Sequence, residues 1–181
     1  MLDFDHLAFS GPLPLVARAW SGDVGHVPGV YVLRSIGGGG VPCAVPRAGA
    51  IDERGVLDIG ESSRLHRRLD DLRGACLSLP RSHRAGLAYA TYGFAANYPL
   101  ETLHVDVLTL PAGSDGKRLA EAIELALLET YRWRFKDRPP LNGSAGKYNA
   151  VAAWLQSRGR VPRDGEGWLD LGGLLDGALG T

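Results

Sequence analysis

The chain has only two cysteines, Cys43 and Cys76, and a single methionine in 181 residues. Two cysteines at that separation make no metal-binding spacing and no disulfide framework, which points to a reducing, cytoplasmic setting. An excess of charge of one sign is also missing, since 20 basic residues balance 20 acidic ones. A neutral chain has no global field to attract nucleic acid or a membrane surface, so such a partner has to be recognised locally. No apolar run reaches the roughly 20 residues of a spanning helix, and Asp3 and Asp5 stand where a signal peptide would be basic. No membrane partner is expected. Internal repeats are absent, and the length suits one domain with its own core rather than two.

The charge balance hides local asymmetry. Between Glu61 and Arg84 there are six arginines against three acids, and from Arg163 onward one arginine against four acids. The basic region begins with the most informative stretch of the chain, Val56 to Leu72 (VLDIGESSRLHRRLDDL). Val56, Leu57 and Ile59 read as a strand interrupted by Asp58 and ended by Gly60, with Ser62 or Ser63 as N-cap of a helix that Gly74 stops. Leu65, Leu69 and Leu72 fall on one helical face. Arg67 points away from that stripe and reads as solvated, whereas Arg68 lies at its edge, where packing can hold it.

Elsewhere the pattern predicts a short helix over Leu13 to Trp20 and a strand over Gly29 to Leu33, with Val30 and Val32 on one face and Tyr31 and Leu33 on the other. A glycine-rich linker starts at Gly37 and continues to Gly49. It lacks the Lys-Ser or Lys-Thr that a phosphate-binding loop would place at a helix start. Pro80 to Gly86 reads as a basic loop, Leu87 to Phe94 and Leu103 to Leu110 as strands, and Pro111 to Lys117 as a turn. Lys117 to Phe135 is the longest predicted helix, with Leu119, Ala122, Ile123, Ala126, Leu127 and Tyr131 on one face. Pro139 and Pro140 stop it, Asn142 follows, and Tyr148 to Arg158 predicts a last helix before a glycine-rich acidic tail.

That long helix carries the acids of interest. Glu121 sits among Lys117, Arg118 and Glu124, a wet face. Glu129 sits among Leu125, Ala126, Arg132 and Trp133, where a carboxylate needs a partner or a metal. Glu124, flanked by Leu127 and Leu128, is the rival. An ion pair with Arg132 is the structural explanation for Glu129. Arg132, Arg134, Lys136 and Arg138 form a second basic cluster, which with the cluster from Arg64 to Arg84 could frame a groove for a phosphate backbone or simply be solvated helix ends.

Gly29-Val30-Tyr31, Asp58-Ile59-Gly60, Arg68, Glu129 and Asn142 occur in the order and approximate spacing of the GIY-YIG nuclease superfamily, which the chain resembles from Gly29 to Asn142. The resemblance implies an α+β domain (29–143), with a small central antiparallel sheet of about three strands flanked by helices. Residues 1–28 would be an extension packed on the core, and 144–181 a C-terminal helix and tail. It implies a metal-dependent endonuclease acting on DNA with one Mg²⁺ or Mn²⁺. Tyr31 would position and activate water, Arg68 would stabilise charge on the phosphate, Glu129 would bind the metal and Asn142 would fix the backbone beside the site. Arg64, His83, Arg84 and Arg132 would contact substrate. Without the resemblance, His83 reads as a surface loop residue, Tyr31 as a core aromatic and Asn142 as a turn residue.

Asp58 departs from the pattern, because the second triplet of the family begins with tyrosine. An acid that ordinarily only accepts replaces a phenol that also donates. Three alternatives stand open: Asp58 as a metal-facing carboxylate or general base, Asp58 as a structural partner of an arginine such as Arg68, or a disarmed domain kept as a nucleic-acid-binding or protein-interaction subunit. No zinc spacing, helix-turn-helix or basic tail is present, so sequence specificity would come from insertions, a homodimer or a partner subunit.

Overall fold

The computed structural model describes residues 7–22 and 24–143. Its strands are β1 (Ser10–Pro14), β2 (Gly29–Ser35), β3 (Val45–Pro46), β4 (Ile51–Asp52), β5 (Val56–Ser62) and β6 (Leu103–Thr109), and its α-helices are α1 (Leu65–Cys76), α2 (Arg84–Thr91) and α3 (Ser114–Phe135). Four strands form an antiparallel sheet in the order β1-β6-β2-β5, and β3 pairs with β4 in a separate ribbon. The α+β class matches the expectation. The sheet has one strand more than the three expected, because β1 from the N-terminal extension adds an edge to β6.

Every residue of β2 is buried, as a strand with partners on both sides and helices on both faces requires. Val30 and Val32 pack with Ile59, Leu108, Ile123 and Leu127 under α3. Tyr31 and Leu33 pack with Leu65, Leu69, Leu72 and Tyr89 under α1 and α2. Each such aliphatic side chain taken fully out of water contributes about 1.5–3 kcal/mol, so this two-sided burial is the main force holding the sheet. Within the sheet, buried Arg34 and Asp106 neutralise each other in an ion pair.

Several predicted elements take another form. Leu13 to Trp20 is no helix: Leu13 ends β1 with Pro14, and only Ala19–Ser21 makes a single 3₁₀ turn. The segment pairs instead with β6, and an edge strand tolerates the missing N–H groups of Pro12 and Pro14. Leu87 to Phe94 belongs not to a strand but largely to α2. Ala85, Gly86 and Tyr89 are buried at helical spacing, while Leu87 is 48% exposed, so the apparent alternation was not a burial pattern. A Cβ on Gly86 would stand 2.6 Å from the Ala75 Cβ and 2.8 Å from the Leu72 carbonyl oxygen, so the close approach of α1 and α2 depends on glycine there.

Boundaries shift for local reasons. Gly60 does not end β5, which runs on to Ser62 because Gly29 and Val30 remain as partners. Neither serine caps α1: Arg64 holds the N-cap position, and the Ser62 Oγ accepts from the Arg64 N–H just outside the helix. Gly74 lies inside α1, which continues to Cys76, and α3 begins three residues before Lys117. Gly37 to Gly49 is not all linker, since Ile36 bridges to Pro42 and Val45–Pro46 forms β3. The predicted helix over Tyr148 to Arg158 and the acidic tail lie outside the described residues. Among the described residues no helix is long and apolar enough to cross a membrane.

Candidate active site

At the β5 edge of the sheet, α1, the start of α2, α3 and the segment Leu141–Gly143 surround a cavity of about 220 Å³. Its polar lining includes Tyr31, Asp58, Glu61, Arg68, His83, Arg84, Glu121, Glu124 and Asn142. Strand register explains the first contact. Tyr31 pairs with Gly60 and Leu33 with Asp58, so Tyr31 and Asp58 share a face on the diagonal of an antiparallel pair, within reach of an aromatic side chain. Gly60 leaves the room, because a Cβ there would stand 2.6 Å from the Tyr31 ring.

A β-bulge sets the other side. Leu33 pairs with Asp58 but Arg34 pairs with Val56, which leaves Leu57 without a partner in β2. The Leu57 carbonyl accepts instead from the Leu141 N–H at 2.9 Å. Two residues on, the Asn142 Oδ1 accepts from the Ile59 N–H at 2.9 Å and its Nδ2 donates to the Ile59 carbonyl at 2.7 Å. Asn142 thus pairs with both main-chain groups of the residue between Asp58 and Gly60.

The Tyr31 hydroxyl donates to the Asp58 Oδ2 at 2.6 Å and lies 3.2 Å from the His83 Nε2. His83 is not a surface residue: it is 1% exposed and caps α2, its Nδ1 accepting from the Gly86 N–H at 3.4 Å. A ring whose Nδ1 accepts carries its proton on Nε2, so His83 donates to the Tyr31 oxygen while Tyr31 donates to Asp58. Burial, reinforced by Arg68, pushes the His83 pKa down to about 3 and keeps the ring neutral. Burial pushes Asp58 up to about 7, against the hydrogen bond from Tyr31 and the charge of Arg68, which both lower it. Tyr31 is raised well above a free phenol by burial and then by the Asp58 charge.

Glu124 is pushed up to about 8, by burial first and then by the charges of Glu61 and Asp58. It is the acid on α3 that faces the site, together with Glu121, whose side chain is only 15% exposed rather than on a wet face. Glu129 lies outside the cavity lining and takes its structural role, an ion pair with Arg132 at 3.8 Å. Helical geometry accounts for the exchange: five residues advance a helix by about 500°, so Glu124 and Glu129 diverge by about 140°. Arg68 lines the cavity, its Nε buried without a hydrogen-bond partner among the described residues. Among the described residues Arg68 makes no ion pair with Asp58, although its charge lowers the Asp58 pKa. Arg67 is solvated as expected, its side chain 69% exposed.

Arg84 donates to the Gly143 carbonyl at 3.0 Å at the rim, while Arg64 and Arg132 are outside the lining. Glu61 had no sequence signal beyond following Gly60. Among the described residues, no group of three or more His, Cys, Asp or Glu side chains is arranged to hold a metal ion. A hard cation bound through one or two carboxylates and its own waters needs no such group. Compared with family models, curated proteins and solved structures, the chain matches none of them.

Proposed function

We propose that the chain is a metal-dependent endonuclease of the GIY-YIG type that hydrolyses phosphodiester bonds in DNA. The observation that carries this reading is the Tyr31 hydroxyl, hydrogen-bonded to Asp58 at 2.6 Å, lining the same cavity as Arg68 and Glu124. Asp58, titrating near neutrality, is matched to general-base work at ordinary pH. A proton taken from water by the Tyr31 oxygen, as Tyr31 passes its own to Asp58, leaves neither a free phenolate nor a buried unpaired charge. His83, donating to the same oxygen, stabilises the charge that develops there. The Arg68 guanidinium, with donor capacity left over, suits the phosphate oxygens.

The donor set fits a hard divalent cation such as Mg²⁺ or Mn²⁺. Its ligands would be oxygens, with Glu124 holding the ion in place of Glu129 and waters filling the remaining positions. Bound there, the cation would supply charge to the phosphoryl oxygens and lower the pKa of its water. It would also offset the burial and the carboxylate repulsion that raise the Glu124 pKa.

A second reading, a disarmed subunit kept for binding, is favoured by the high pKa of buried Tyr31, which opposes phenolate formation. Cleavage of supercoiled and linear DNA with Mg²⁺ or Mn²⁺ decides between them. The nuclease reading expects nicking by the wild-type chain that Glu124→Ala abolishes. Cleavage that survives Glu124→Ala, or none from the wild type while it still binds DNA, would reject it.

A further inference from the structure

A second cavity, of about 380 Å³, lies beyond Asn142, which lines both. Its charged lining is Arg47, Arg132, Lys136, Asp137 and Arg138, four cations and one acid. The acid is already engaged, because Asp137 pairs with Arg47, whose Nη2 also donates to the Arg138 carbonyl at 2.6 Å. Arg47 Nε is buried with no hydrogen-bond partner among the described residues. Beside the cavity, Trp133 is 71% exposed, with the Lys136 Nζ 5.3 Å from its ring centroid. The first cavity has the opposite balance, four carboxyl groups against Arg68 and Arg84.

From this contrast we infer that the basic cavity is a subsite for a non-scissile phosphodiester of a nucleic-acid strand, with Trp133 offering a stacking face to an adjacent base. The inference rests on reading the first cavity as the site of the scissile phosphate. The basic cavity attracts phosphate without metal, whereas the first has no such excess of cations. Phosphate capture by clustered cations beside an exposed aromatic ring is how single strands are gripped without sequence readout. Shared lining by Asn142 makes the two cavities neighbours along one path.

The test is the binding of a fluorescently labelled single-stranded DNA oligonucleotide in EDTA, followed by anisotropy over a range of salt. Arg132→Ala/Lys136→Ala removes two exposed cations, and Arg18→Ala/Arg67→Ala removes two outside both cavities as a control. The expected result is binding by wild type and control. The Arg132/Lys136 variant should bind at least about tenfold more weakly, with a log–log salt slope shallower by about one to two. Trp133→Ala should weaken binding by about fivefold or more through lost stacking. No metal-free binding by wild type, or an equal loss in both double variants, would overturn the subsite. So would an Arg132/Lys136 variant with wild-type affinity and slope.

Cleavage assays on the same proteins separate the two claims. If wild type cuts and the Arg132/Lys136 variant binds and cuts equally well, the subsite fails and the nuclease reading stands. If nothing cuts but the variant still loses metal-free affinity, the nuclease reading fails and the strand-binding subsite stands.

Discussion

Asp58 accepts its 2.6 Å hydrogen bond from Tyr31 on the adjacent strand, and both residues are buried. The strand register turns this acid toward the tyrosine of β2. That contact makes the pH behaviour of Asp58 a direct probe of the site.

If ionised Asp58 is the base, cleavage rises with pH, by up to tenfold per unit, and levels above about 7. A kcat/KM profile of wild type against Asp58→Asn checks this. The variant should lose at least about a hundredfold near neutrality, in the range typical of a lost general base, and its residual rate should not show the same rise.

The same buried acids act on stability with the opposite sign. Asp58 and Glu124 are raised in the folded state, so the stability linked to their protonation is complete below the ordinary carboxylate range. It is lost as pH climbs through about 7 and about 8. His83 is depressed, so its share is present above 6.5 and lost as pH falls towards about 3. Above the ordinary histidine range only the carboxylates contribute, and stability falls. Urea unfolding without metal, from about pH 6.5 to about pH 8.5, should show Glu124→Gln losing less than wild type, by about 1–2 kcal/mol.

Glu124 and Glu129 separate cleanly by substitution. Glu129→Ala breaks only a half-exposed ion pair with Arg132, so cleavage should stay within about twofold and stability within about 0.5 kcal/mol. Under the same conditions Glu124→Ala should leave no metal-dependent cleavage. Equal loss in both would place the metal ligand elsewhere on α3.

Asn142→Ala leaves the Ile59 N–H and carbonyl without their side-chain partners. The expected loss is about 1–3 kcal/mol, read as a lower urea midpoint. Asn142→Asp should recover only part of it, since its carboxylate accepts from the Ile59 N–H but cannot donate to the carbonyl.

The elements legible in the sequence were those whose own periodicity matched their burial. β2, β6, most of β5, the buried stripe of α1 and the buried face of α3 are of this kind, because Val30/Val32, Leu65/Leu69/Leu72 and Leu119/Ile123/Tyr131 each mark one side of one element. The segments 13–20 and 87–94 were misread because their fate depends on a neighbour. β1 exists by pairing with β6, and α2 exists because Gly86 lets it lie against Ala75 and Leu72 of α1.

At the site, the sequence by itself determined that Tyr31 and Asp58 each lie within a strand, that Arg68 sits at the edge of a buried helical stripe, and that an asparagine follows the prolines. Local spacing carries all three. Only the tertiary structure decided which glutamate of α3 faces the cavity and that His83 is a buried cap rather than a surface residue. It also decided that Asn142 reaches back 83 residues to hold Ile59. The physical reason is that a helix has several faces with similar local composition, and only packing against β2 and β5 chooses the one turned towards Asp58 and Arg68.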